Sequence, residues 1–115
     1  MTNLRKKADK LWIAVIRVIN GYKPDDKTVD AHHIRPRWNH STRYDIKNGY
    51  ILTRVEHSYF EDHPEEAEVF FRHKLGDKEY DRLKAKSLQI KKWQPYELED
   101  IIKQFKEILK CPSGK

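Results

Sequence analysis

Five of the six histidines fall between residues 32 and 63, in the stretch DAHHIRPRWNHSTRYDIKNGYILTRVEHSYFEDHP. It holds the adjacent pair His32-His33, Asn48 beside Gly49, and His57 with Glu61 four residues and His63 six residues later. Neutral imidazole is the commonest protein ligand for a transition metal and titrates near neutrality, so such a block suits metal binding, proton transfer or both. In phosphodiester hydrolysis a divalent cation stabilises the developing charge, while a nearby neutral His takes a proton from the attacking water. The histidine pair could supply one ligand and one base. Neighbouring strand residues point to opposite faces, so both serve one site only where the strand bends, and Pro36 with its loop offers such a place. His57 and Glu61 lie on one face of a helix and can grip one ion. A carboxylate there shifts preference toward magnesium or manganese, with zinc or nickel behind. His63 sits beyond a helix break and ranks after Glu61 as an alternative ligand. Asn48 cannot be a base; it can pin the loop through backbone hydrogen bonds or lend its amide oxygen to the metal. Any one of these histidines alone is more often a surface or packing residue, and His40 and His73 keep that reading. It is the set that points to a site.

These groups must be carried by nearby elements. Residues 29–34 read as a short strand bearing the histidine pair and ended by Pro36. Residues 50–53 read as its partner after an Asn48-Gly49 turn, and 54–62 as a short helix broken by Pro64. Residues 35–47 form a long polar loop, which in a small domain is usually functional. Trp38 within it reads as core, with stacking on a base as the alternative. Around this lie a first helix over 3–20 with an apolar stripe Leu4, Ala8, Leu11, Trp12, Val15 and Ile19. Another runs from Pro64 to Leu75, burying Val69 with Phe70 or Phe71. A third starts at Asp77 and uses Tyr80, Leu83 and Leu88; a last one spans 95–110, before a frayed tail over 111–115. The class is α+β: two short antiparallel strands and a helix, wrapped by further helices.

At 115 residues the chain fits one domain, with its core unit near 29–63. A net charge of +6, from 24 basic and 18 acidic residues, favours a polyanionic partner, nucleic acid foremost. Arg35, Arg37, Arg43 and Arg54 lie near the histidines and are phosphate-contact candidates, since a planar guanidinium matches phosphate; solvated loop charge is the even alternative. The single Cys111 excludes an internal disulfide and reads as a tail residue without a role. No signal peptide or membrane span is visible, which fits a cytoplasmic protein, monomer or homodimer.

His32-His33, Asn48 and His57 together resemble the HNH endonuclease motif, the ββα-metal or His-Me finger, with fifteen residues from His33 to Asn48 and nine more to His57. That resemblance implies His32 and His57 as metal ligands, His33 as general base and Asn48 as loop organiser. Where the family often has a further His, this chain has Glu61. The segments LRKKADKLW, RWNHSTRYDIKNG and FFRHKLGDKEYDRLK also resemble phage recombination nucleases of the NinG/Rap type. Those carry cysteine pairs flanking the core; here there are none, so no structural zinc is expected. The resemblance implies a metal-dependent nuclease that nicks DNA in phage recombination or replication, in the host cytoplasm. A non-cleaving DNA-binding protein on the same scaffold is the alternative, and an RNA-directed nuclease a third.

Overall fold

Residues 2–110 are described by the computed structural model, so Cys111 and the 111–115 tail lie outside it. Among the described residues the chain is α+β: five α-helices and one two-stranded antiparallel sheet. The helices are α1 (Thr2–Ile19), α2 (Arg54–Asp62), α3 (Pro64–Leu75), α4 (Asp77–Ser87) and α5 (Pro95–Lys110); the strands are β1 (Val29–His33) and β2 (Gly49–Thr53).

Three- and four-residue spacing on α1 buries Ala8, Trp12, Val15 and Ile16, and the matching stripe of α5 buries Leu98, Ile102 and Phe105. The two helices close over one another and form a first core with Tyr44. Ile19 is left 49% exposed, so the stripe ends a turn earlier than its spacing predicts. Gly21, at φ 88°, then stops the helix, with Gly21 N–H donating to Val18 O and Tyr22 N–H to Arg17 O.

A second core joins Phe71 of α3 and Tyr80 and Leu83 of α4 to Ile34 and Leu52. The sheet lies between the two cores, and the period of two along its strands sorts residues between them. Register pairs Ala31 with Ile51 and His33 with Gly49, and these face α1 and α5; Asp30 with Leu52 and His32 with Tyr50 lie on the opposite face, towards α2, α3 and α4. Gly49 is required by close approach rather than by its backbone angle, which is an ordinary φ of −111°. A Cβ there would come within 2.6 Å of Ile16 Cγ1 and 2.9 Å of the Trp12 ring.

Thr53 and Glu56 start α2 as a capping box: Glu56 N–H donates to Thr53 Oγ1 at 3.1 Å and Thr53 N–H to Glu56 Oε1 at 2.9 Å. Several expected core positions are instead at the surface. Val69 is 69% exposed, Leu88 73% and Trp38 73%, whereas Tyr44 in the same loop as Trp38 is buried against Trp93. On α3 the apolar contacts with the sheet are made through Phe71, which meets His32 and Tyr50, and through Phe70, which meets Tyr50. The loop between the strands ends in a single 3-10 turn over Ile46–Asn48, capped by the Asp45 carboxylate accepting from Lys47 N–H.

Candidate functional site

Asn48 is fully buried and holds both ends of the long loop. Its Oδ1 accepts from Arg35 N–H at 2.7 Å, and its Nδ2 donates to Arg35 O at 3.2 Å and Thr42 O at 3.1 Å. The amide oxygen is therefore committed to the backbone, and of the two roles foreseen for Asn48 the loop-holding one is the one its contacts serve. The same loop stretch positions His33. Its ring stacks on Trp12 at 3.8 Å between centroids and 9° between planes, and Nε2–H donates to Arg43 O at 3.1 Å. A carbonyl can only accept, so the proton sits on Nε2 and Nδ1 carries the lone pair. Burial, and then the positive charges of Arg37 and Arg43 against the opposing pull of the Arg43 carbonyl and Asp9, push the His33 pKa down to about 4. The ring is neutral at pH 7.

His32 projects to the other face of the strand, where it stacks on Phe71 at 5.4 Å and meets His57 edge-on at 4.8 Å. Burial first, then the neighbouring His57 and His33 rings, push its pKa down to about 4 as well. Pairing continues unbroken to His33 and Gly49, so no bend brings the two rings onto one face. They meet one cavity nevertheless, because β1 ends there: a hollow of about 600 Å³ is bordered by His32, His33, Arg35, Arg37, His57 and Glu61.

His57 is held between two carboxylates. Its Nδ1 is 3.1 Å from Asp30 Oδ2, and its Nε2 is 3.2 Å from Glu61 Oε2, one helical turn on. Carboxylate oxygens carry only lone pairs, so each of these two contacts needs either a proton on the ring nitrogen or a cation in its place. A carboxylate–imidazole pair that fixes the tautomer and presents the other nitrogen is the usual outer support of a metal ligand. The donor chemistry of His57, Glu61 and His32 fits a divalent cation. Glu61 is 66% exposed at its side chain and has room to move. Among the described residues no group of three or more His, Cys, Asp or Glu side chains is already gathered around a common point.

His63 does not join this set. It caps α2, with Nδ1–H donating to Tyr59 O at 2.8 Å and its ring stacked on Tyr59 at 4.1 Å, and neither residue borders the cavity. The four arginines separate into different roles. Arg43 is largely buried and grips Asp9 with Nε at 2.9 Å and Nη2 at 2.7 Å, so it is a strut of the loop rather than a free phosphate contact. Arg54 is on the surface beside Asp30 and donates to Lys27 O. Arg35 and Arg37 border the cavity, the first steadied by Ser87 Oγ at 3.2 Å and the second 60% exposed and only loosely paired with Asp9 at 3.4 Å.

Asp30, Trp12 and Asp9 were not among the sequence-derived candidates. Asp30 lies two residues before His32 on the same strand face, and that period-two spacing was the available signal. Trp12 and Asp9 come from α1 and carry no local mark of their contacts with the site. No family model, curated protein or solved structure matches the chain.

Proposed function

We propose that this protein is a divalent-metal-dependent endonuclease of the HNH type that hydrolyses phosphodiester bonds in DNA. The observation that carries the reading is His57 clasped between Asp30 and Glu61, on the wall that it shares with His32 and a neutral His33. His57, Glu61 and His32 would hold the cation. When bound, it supplies charge stabilisation for the phosphoryl oxygens and the departing 3′-oxygen. His33 accepts the proton of the attacking water at Nδ1, the nitrogen left free by its bond to Arg43 O. A pKa near 4 makes this ring a weak base in the free protein. Burial is the main cause of that low value, with Arg37 and Arg43 adding to it; an anionic phosphate beside the ring would offset the cationic part and so strengthen the base as the substrate arrives. Arg35 and Arg37 bind the flanking phosphates, and Asn48 keeps the backbone that positions His33. One such centre cuts one strand per encounter, so a nick is the product of a single copy.

Supercoiled plasmid incubated with Mg²⁺ or Mn²⁺ is expected to be nicked by the wild type and not by His33→Ala, with the two proteins alike in circular dichroism and in DNA affinity. Nicking by His33→Ala at the wild-type rate would remove that residue from its role. Glu61, where the HNH motif often has a further His, and the single cysteine, where the NinG/Rap type carries cysteine pairs, favour a second reading, a DNA-binding protein that does not cleave. Metal-independent binding with no nicking across a panel of divalent ions would favour it.

A further inference from the structure

Among the described residues Trp38 is the one large aromatic ring that both borders the cavity and stands mostly in solvent, 73% exposed. It is not carried on a loose segment. Asn39 N–H donates to Pro36 O at 2.9 Å, closing a tight turn with Arg37 and Trp38 at its tip. Arg43 Nη1 donates to Arg37 O at 3.2 Å, and Arg43 itself is clamped to Asp9. On the upstream side Asn48 holds both backbone groups of Arg35. The ring is thus presented from a fixed backbone, beside two guanidinium groups and on the rim of a hollow that contains His33.

An exposed indole next to cations, on the rim of a hollow of about 600 Å³, has the composition of a platform for a nucleobase: the cations take the backbone and the ring takes the flat face of a base. A base in intact duplex has both faces covered by its neighbours, so a ring fixed in this way can stack only on one that is unpaired or lifted out of the helix. We propose that Trp38 stacks on an unpaired base beside the phosphate bound by Arg35 and Arg37, and thereby sets a preference for single-stranded over duplex DNA at this site. The inference rests on the reading of the site as one that acts on DNA, and it concerns substrate choice rather than the cleavage step.

The test measures binding in EDTA, where no cleavage occurs, with a fluorescein-labelled single-stranded oligonucleotide and the same sequence as a blunt duplex. Trp38→Ala is expected to weaken single-strand binding about tenfold or more, the range for loss of one base–aromatic stack. Duplex binding should stay within about twofold. Trp38→Phe keeps a ring and should restore most of the single-strand affinity. Because the side chain is exposed, neither change should alter the melting temperature. Equal weakening on both DNAs, unchanged binding of the single strand, or a wild type that does not bind it would each overturn the proposal. Failure of the wild type to cut either plasmid or the single strand in Mg²⁺ or Mn²⁺, with the tenfold single-strand binding effect intact, would sink the nuclease reading and leave the role of Trp38 standing.

Discussion

Replacing Asn48 by Ala tests whether one buried amide holds the site together. The side chain makes three hydrogen bonds, to Arg35 N–H, Arg35 O and Thr42 O. At about 1 kcal/mol net for each, their loss costs about 3 kcal/mol, and stranding the backbone groups away from water adds to this, giving about 3–5 kcal/mol in all. A domain of this size has a total stability of about 5–15 kcal/mol, so the variant should fold but melt some 12 °C or more below the wild type. Asn48→Asp sharpens the argument. It keeps the acceptor for Arg35 N–H and the volume, but turns a second oxygen toward two carbonyls, and should be at least as destabilising. Urea unfolding followed by tryptophan fluorescence at pH 7 gives both numbers, provided the slope of the transition is unchanged. Asn48→Ala within about 1 kcal/mol of the wild type, or Asn48→Asp as stable as the wild type, would refute the assigned hydrogen-bond pattern.

Two further predictions concern the imidazoles. His32 and His33 titrate near 4 in the folded protein against about 6.5 when unfolded, so the unfolded chain binds more protons between those values. Their contribution to stability is complete above about pH 6.5 and is lost as pH falls toward 4, with about 2 kcal/mol lost per ring at pH 5. Urea titrations in EDTA at pH 7.5 and pH 5 measure this, and a His32→Asn/His33→Asn protein should show a flatter dependence; an equal slope would assign the acid sensitivity elsewhere. Asp30→Asn removes the carboxylate that orients His57, and Mn²⁺ affinity by titration calorimetry should fall about 10- to 100-fold, with the fold retained. Unchanged affinity would show that Asp30 does not support a metal ligand.

The strands and helices were legible because each carries its own signal. Prolines at 64 and 95, Gly76 and the alternation around His32 mark where elements begin and end, and the observed bounds follow them within a residue or two. The Thr53-x-x-Glu56 capping box was equally readable, though the helix was inferred without it. What escaped was set by contacts across long stretches of chain. Trp38 and Tyr44 sit in the same polar loop, and nothing local says that the second is buried; it is Trp93, on the approach to α5, that covers it. Periodicity on α3 puts Val69 inward together with Phe70 or Phe71, but Val69 is exposed and the inward place is taken by Phe71, which meets His32 and Tyr50. The spacing of His57 and Glu61 placed them together correctly, but Asp30 reaches the other nitrogen of His57 only because β1 runs alongside α2. His63 was separated from the set by the proline that follows it, which turns the chain into a new helix.

The two adjacent imidazoles answer to different masters. One leans on an indole of the N-terminal helix, the other on a phenyl ring of α3, with a single peptide unit between them. A repacking mutation on either side of the sheet should therefore retune one ring while sparing its neighbour, so that under the proposed function the base and the metal ligand would be adjustable separately.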